Sequence, residues 1–426
     1  MIERLSRLVD EAALVKIKID NYMVRFANDE VTVFKHWTTR RESLYLAKDK
    51  RAMSLSSSVE FKWEDVEGAL KKLGEMPEDP LYLPLNCRPR LMGAESFDNY
   101  EKLLDVVKEA VDSADGAERN AGAAVLSYSY VTYEDTAGAS GSYGVNKVYL
   151  TIRSFYRDLS ATSSIAARRV AELDGKRAGS MNSQLLNIAK GLPSKRVEPG
   201  RRDLLLSPLI WGSLMGEVVS VWASGTEVLA QSSRYGLEDL GRLVASASLN
   251  VEEGAWRSEN FGYMPFDSEG CPTRRVEIYR EGVLTSFIHT RRSAKYFGTE
   301  PTGHAVETYM SAAPSHIEVA PGDAPGDLDG LFKELREGYY IHGNWYTRYQ
   351  NVKTGQFSTV GRDVALEIKD GRPVSVVKFI RIVDTLENIV KNVESLSKNT
   401  LQVYWWDMRA AATAPYVVLR NVGVST

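Results

Sequence analysis

The sequence predicts an α+β protein: an N-terminal α/β domain of antiparallel strands with flanking helices, then a β-rich C-terminal domain. Three observations carry this reading. Apolar and aromatic side chains alternate with polar ones through Val15, Ile17 and Ile19, and again through Tyr22, Val24 and Phe26, which is the period of a half-buried strand. Val66, Ala69, Leu70 and Leu73, and later Leu103, Leu104, Val107 and Val111, fall at the spacing of one helix face. After Ser246 the chain breaks into short β-branched stretches separated by turn residues.

Taken in order, the alternation that begins at Val15 continues through Val31, Val33 and His36, with Asn28-Asp29 as a hairpin turn between the two runs. Ser43 to Ala47 reads as a third strand. A helix is expected within Val59 to Leu73, ending after Gly74, and Pro84 and Pro89 make Leu81 to Arg90 a surface loop. Tyr100 to Val111, extended by Ala114, is the next helix. Val125 to Tyr133 and Lys147 to Phe155 form a hairpin across the Gly/Ser-rich stretch from Ala137 to Gly144. Ala161 to Leu173 and Ser183 to Ala189 are expected to be helical. Gly191 to Gly200, with Pro193 and Pro199, marks the domain boundary, giving residues 1–197 and 198–426. The second half opens with a helix from Pro208 through Val221. Strands are expected at Val276 to Tyr279, Val283 to His289, His316 to Ala320, Ala365 to Lys369, Val374 to Ile382 and Tyr416 to Val422. Helices are expected at Leu328 to Leu335 and Thr385 to Val393.

The composition narrows the function classes. The chain has 426 residues, 56 acidic against 53 basic side chains, a net charge of -3, and 43% hydrophobic residues, the make-up of an ordinary folded soluble protein. No apolar run reaches the length of about 18 residues that a spanning helix needs, and the N-terminus lacks a signal-peptide pattern, so a cytoplasmic location and no membrane partner are expected. Cys87 and Cys271 are the only cysteines, which excludes a disulfide scaffold or a cysteine-rich metal site and leaves one bridge possible. His36, His289, His304, His316 and His342 are scattered singly. Balanced charge provides no broad field for phosphates, so no nucleic acid partner is expected, although local basic patches occur around Arg168 to Arg177 and Lys195 to Arg202.

No phosphate loop, dinucleotide fingerprint, HExxH motif or nucleophile elbow is present. Asp267 and Glu269, in Phe266-Asp267-Ser268-Glu269-Gly270, form a close acidic pair suited to a hard cation or to proton transfer, or else to a polar turn. Glu217 stands among Leu214, Met215, Val218, Val219, Val221 and Trp222, where a buried carboxylate needs a hydrogen-bonding partner or a proton; a solvent-facing position would remove the anomaly. Trp405-Trp406 and the run Tyr339 to Tyr349, with Arg348 among Trp345, Tyr346 and Tyr349, fit core packing, a peptide groove or interface, or base stacking. His304, without a ligand-type neighbour in sequence, reads as structural.

Taken together, Phe266-Asp267-Ser268-Glu269-Gly270-Cys271-Pro272, Gly282-Val283-Leu284, Pro301-Thr302-Gly303-His304-Ala305, Pro314, Pro321-Gly322 and Thr354-Gly355-Gln356-Phe357-Ser358 resemble the TldD/PmbA family. The likeness spans the chain, most strongly from about residue 200 to 395. It implies conformational or structural roles for Asp267, Glu269, Gly270, Gly303, His304, Gly355, Phe357 and Ser358. TldD-type members are zinc peptidases in which a helix carries two histidines five positions apart, a glutamate after the first, and a cysteine near the C-terminus completes the site. The matching segment here is Gly216-Glu217-Val218-Val219-Ser220-Val221, so Gly216 and Val221 stand at the histidine positions, and the stretch Asp407 to Ala414 supplies no thiolate.

The resemblance therefore places the chain with the PmbA-type members, also called TldE. It implies a noncatalytic subunit that binds and positions peptides or unfolded chains for a TldD-type metallopeptidase partner, with no cofactor in this chain and zinc in that partner. Gly216, Glu217 and Val221 would be a vestigial motif, and Trp345, Tyr346, Arg348 and Tyr349 a substrate groove or interface. Two other readings are a homodimeric peptide-binding module without a catalytic partner, and a self-sufficient peptidase with an unrecognised metal site. The family's older label, modulator of DNA gyrase, has no support in the charge or motifs of this sequence.

Overall fold

The computed structural model describes residues 1–89 and 93–426. In the first half, β1 (Glu11–Ala27), β2 (Glu30–Lys48), β3 (Arg51–Ser57), β4 (Arg119–Asp135), β5 (Ser140–Tyr156) and β6 (Leu159–Ala167) form an antiparallel sheet in the order β3-β2-β1-β4-β5-β6. Asn28 and Asp29, with φ of 52° and 69°, make the two-residue turn expected between β1 and β2. The expected runs Val15–Ile19 and Tyr22–Phe26 are one continuous strand, as are Val31–His36 and Ser43–Ala47. Arg90, the last residue of the expected Leu81–Arg90 loop, lies outside the described residues.

The helices are α1 (Ile2–Leu5), α2 (Trp63–Glu75), α3 (Lys102–Asp112), α4 (Gly175–Ala189), α5 (Pro208–Trp222), α6 (Gly225–Leu229), α7 (Arg291–Phe297), α8 (Leu328–Leu335) and α9 (Leu386–Lys391). α2 buries Val66, Ala69 and Leu73, and α3 buries Leu103, Val106, Val107 and Ala110. Gly175 and Gly179 let α4 cross α3 at backbone contact, because a Cβ at either would overlap the carbonyl of Val106 or Ala110. Asp174 caps α4 by accepting the Arg177 amide at 2.8 Å.

One expected helix fails. Ala161 to Leu173 is not a helix: it supplies β6 and a short 3₁₀ turn at Val170–Glu172. Every residue from Ser160 to Ala167 is buried, because β6 pairs with β5 while the second sheet and α4 press against it. Small side chains that suit a helix here allow close approach between layers, and burial on both faces removes the alternation that marks an ordinary strand.

The second sheet contains β7 (Ser194–Arg196), β8 (Gly200–Leu206), β9 (Val251–Glu253), β10 (Val276–Arg280) and β11 (Val283–Leu284); β12 (Ala305–Glu307) and β13 (Ser311–Ala312) form a separate ribbon. It continues with β14 (His316–Val319), β15 (Gly338–Asn351), β16 (Gln356–Lys369), β17 (Arg372–Lys378), β18 (Arg381–Thr385), β19 (Val393–Val403) and β20 (Ala411–Ser425). The expected strand Val283–His289 is confined to its first two residues, and Val374–Ile382 divides at Phe379, whose φ is 61°. β18 pairs with both β16 and β20, closing the ring β20-β8-β15-β16-β18.

α5 packs against β8, β14, β15, β19 and β20 and is buried at every position except Ser220. It carries no polar face because none of its faces meets solvent. Ser207 caps it, and Trp222 at its far end donates its indole N–H to the Val352 carbonyl at 3.1 Å.

Cys87 and Cys271 are bonded to each other, joining the loop after α2 to the turn that follows Phe266. The closed loop is long, so its removal relaxes the unfolded chain. The Cys87→Ser, Cys271→Ser double variant should lose about 2–4 kcal/mol in denaturant unfolding. Its midpoint should not respond to reductant, whereas that of the native chain should fall.

Candidate functional site

Two constellations contain the residues singled out in sequence. The first is the turn Phe266–Pro272 with its neighbours. Asp267 Oδ1 accepts the amides of Glu269 (2.8 Å) and Cys271 (3.0 Å), and Oδ2 accepts the Ala305 amide at 2.8 Å. Glu269 accepts the Arg291 amide (2.8 Å), the Arg291 Nε–H (3.2 Å) and the Tyr309 amide (2.9 Å). Burial, then the neighbouring Glu269 charge, push Asp267 up to about 7, against the pull of the three amides.

Asp267, Glu269 and Cys271 are the cluster of metal-capable groups among the described residues, but Cys271 is in the disulfide and the carboxylates already face amide and guanidinium donors. The geometry is that of a turn fixed by its own backbone, rather than an open cation site.

Glycine is required in this constellation. Gly270 has φ 70° and lies against the Tyr133 ring; Gly303 has φ 77° and a Cβ there would strike the Pro272 carbonyl. His304, a lone histidine in sequence, is fully buried, with Glu253 Oε2 from a distant segment at 2.6 Å and its near neighbour Thr302 Oγ1 at 3.0 Å. Burial raises Glu253, but His304 and the amides of His316 and Ala255 outweigh it and hold the carboxyl below its usual range.

The second constellation surrounds α5. Glu217 is buried and accepts the Tyr349 hydroxyl at 2.9 Å and the Arg409 Nε–H at 2.5 Å. Burial pushes its carboxyl up, opposed by Arg409 and Tyr349. The segment that follows Asp407 lies directly on the helix: a Cβ at Gly216 would make ordinary contacts of 3.7–4.0 Å with Ala410. Space for a side chain thus exists at Gly216, and Val221 is packed in the core.

The four aromatic and basic residues of β15 divide. Tyr349 points inward to Glu217. Tyr346, with φ 54° in an irregularity of the β15–β16 pairing, points outward and its amide donates to Asp407 Oδ2 at 3.1 Å. Arg348 lies 5.0 Å from the Tyr346 ring and 3.7 Å from Asp407 Oδ1. Trp345, Tyr346 and Trp406 form an edge-to-face aromatic ridge with centroid separations of 5.5 and 6.0 Å, and Tyr346 and Trp406 remain 44% and 59% exposed. A cavity of about 410 Å³ opens beside Trp345, lined further by Val360, Arg362, Val376 and Phe379.

Gly355 and Phe357 serve the same helix, and Ser358 the neighbouring strands. Gly355, at φ 66°, sits against the Trp222 indole where no Cβ fits, Phe357 is buried beside it in the same core, and Ser358 accepts from Gln350 and Arg381 at 3.4 Å. Sequence reasoning named the stretch around Asp407 only for its missing thiolate and passed over Arg409 and Asp407 themselves. A lone cation in Asp407-Met408-Arg409 has no local pattern; only the fold brings it to Glu217.

The donor set at α5 does not fit zinc. Gly216 and Val221 offer no lone pair, and the Arg409 guanidinium occupies the carboxylate that a dication would need and repels it. His289, His316 and His342 are committed elsewhere, to Ser293, Thr413 and Tyr340, and burial holds their pKa values down to about 4, 3 and 4.

This fold, with a buried helix bearing a glutamate opposite a C-terminal segment, is metallopeptidase-like. Residues 199–426, more than half of the chain, match the PmbA/TldA metallopeptidase C-terminal domain. The chain belongs to the TldD/PmbA family. It is 26% identical over 242 residues to a metalloprotease of Methanothermobacter thermautotrophicus, 55% of this chain and 50% of that one. It is 31% identical over 115 residues to the metalloprotease PmbA of Escherichia coli O157:H7, covering 26% and 25% of the two chains. The matched stretches thus span about half of these curated relatives or less. TldE from Thermococcus kodakarensis shares the fold with a TM-score of 0.79 at 17% identity, over 100% of this chain and 99% of that one. A Thermotoga maritima structure does so with a TM-score of 0.78 at 19% identity, over 99% of each.

No helix among the described residues is long and apolar enough to cross a membrane.

Arg409→Ala should cost about 1–3 kcal/mol, since it strips a buried carboxylate of its ionic partner while the half-exposed arginine itself loses little packing. The sign with pH follows from the raised Glu217 pKa: an acid raised in the folded state contributes stability below its unfolded value and loses it as pH rises through the folded one. Urea unfolding should therefore show a larger deficit for Arg409→Ala at pH 8 than at pH 4.5.

Proposed function

We propose that the chain is a noncatalytic subunit of a cytoplasmic TldD-type zinc metallopeptidase complex, helping to bind and position peptide or unfolded substrates. The observation that carries this reading is the internal ion pair of Glu217 with Arg409, at the helix position where the family resemblance implies zinc ligands. A guanidinium neutralises the carboxylate but offers no vacant coordination position and cannot hold an activated water. Hydrolysis is therefore assigned to the partner, which would carry the zinc.

The Trp345–Tyr346–Trp406 ridge, the Arg348 guanidinium and the cavity beside Trp345 suit an extended peptide: flat aromatic faces for side chains, with a cation for acidic groups or carbonyls. Positioning by such contacts lowers the barrier for chemistry performed by another subunit without contributing a reacting group.

Mixing the chain with a TldD-type protein from the same organism should yield a mixed complex with peptide cleavage above that of either component. Glu217→Gln should reduce the activity of that complex less than tenfold; a loss beyond a hundredfold with assembly intact would assign Glu217 a part in the chemistry. Tightly retained stoichiometric metal and hydrolysis by the isolated chain, abolished by Glu217→Gln, would overturn the reading.

A further inference from the structure

The β15–β16 pairing has an extra residue on β16: Ile341 pairs with Ala365, but Gly343 pairs with Arg362. Within that bulge Asp363 has φ 68°, and its Oδ1 accepts the Arg153 Nε–H at 2.8 Å and the Ser160 hydroxyl at 2.6 Å, both from the first sheet. Arg153 therefore balances the Asp363 charge. Arg362 is left without a close counter-ion. Among the described residues its guanidinium donates no hydrogen bond, and Asp363 Oδ1 stays 3.9 Å away. The Arg362 side chain lies over the Trp345 ring and is only 20% exposed, so water replaces little of what is missing. Burial first, and then the Arg153 charge, hold its pKa down to about 10 against the pull of Asp363. A half-dehydrated planar guanidinium with unused donors is a strong receptor for a carboxylate, which it can hold through two parallel hydrogen bonds.

Arg362 lines the cavity of about 410 Å³ beside Trp345, whose walls are otherwise largely apolar, from Leu159, Val360 and Val376, with Phe379 73% exposed. Lys378 is in the same lining, but it is paired with Asp158 at 2.6 Å, so Arg362 is the cation left over. Asp363 Oδ2, also buried there, has no donor among the described residues.

We propose that this cavity holds the C-terminal residue of a peptide, with its carboxylate paired to Arg362 and its apolar side chain against the walls. The combination of groups selects this occupant. An aspartate or glutamate side chain would bring the anion without the apolar group, and an internal apolar residue would bring the reverse. A chain end carries both on one residue. Asp363 Oδ2 is the acceptor available to that residue's N–H, through one water. The volume is at the small end of the range of about 300–1,000 Å³ for ligand sites and suits a single residue with its flanking amide. This inference rests on the peptide-positioning reading and deepens it: a peptide crossing the ridge that Trp345 shares with Tyr346 and Trp406 would end here, which gives the bound strand a direction.

The test is equilibrium binding of a fluorescein-labelled peptide of three alanines and a terminal leucine to the full chain, followed by anisotropy. The free acid should bind at least about tenfold more tightly than the same peptide with a C-terminal amide, since the amide cannot form the charged pair. Arg362→Ala should weaken the acid to the level of the amide and leave the amide unchanged, which also serves as the control for folding. Arg362→Lys, which keeps the charge without the planar fork, should fall between the two. Replacing the terminal leucine by aspartate should weaken binding to the native chain. Equal binding of acid and amide, or a preference for the acid that survives Arg362→Ala, overturns the proposal and leaves the peptide-positioning reading standing. Binding of neither peptide also overturns it, and cleavage by the mixed complex then decides the wider reading independently.

Discussion

Two buried carboxylates, Asp267 and Glu269, fix the turn against which the first sheet packs. Burying a carboxylate is costly unless donors are arranged around it. Here they come from backbone amides of Cys271, Ala305, Arg291 and Tyr309 and from the buried Arg291 guanidinium, which also donates to the Leu83 carbonyl at 3.0 Å. Leu83 belongs to the loop after α2, within the first half, and Phe266 inserts between Tyr133 and Tyr143 of the first sheet, with the Tyr143 centroid at 4.8 Å. The turn is therefore bound by hydrogen bonds and charge to Arg291, Ala305 and Tyr309, and by aromatic packing to the first sheet. The disulfide ties the same two segments covalently.

With the frame fixed there, α5 is held along its length. Trp222 anchors one end through Val352 and Gly355, and the ring of strands around β20 and β15 brings Arg409 and Tyr349 to the middle of the helix. The motif residues Gly355 and Phe357 act on α5 through Trp222 and the surrounding core. Much of what resembles a family signature here is thus support for a helix, and its spacing reflects turn geometry instead of reactive groups.

How much of this was legible in sequence depends on the range of the interactions. Alternation in β1 and β2 and the turn at Asn28-Asp29 are local properties, and the same holds for the helix faces at Val66–Leu73 and Leu103–Val111. Glu217 stood out because a charge among large apolar residues conflicts with its surroundings. Its resolution through Arg409 did not, because the two are 192 positions apart and only a sheet joins them. His304 reads as solitary for the same reason, with Glu253 brought alongside by β9. The error at Ala161–Ala167 has a different origin: small residues leave helix and doubly buried strand indistinguishable until the packing layer above them is known.

On the proposed noncatalytic reading, the Glu217–Arg409 pair also separates two ways a site can lose a metal. If the ligands had merely been trimmed, a carboxylate would be left buried with no counter-ion, and the helix would be destabilised at neutral pH. Here a cation fixed to the same chain takes the charge-balancing part of a metal's work. It does not take the chemical part, because a guanidinium has no empty orbital to polarise a carbonyl and does not acidify a water. The room left at Gly216 shows that packing has not closed over the position. Charge neutrality around α5 is retained by Arg409, and the fold can keep a glutamate at the centre of the helix without any need for it to react.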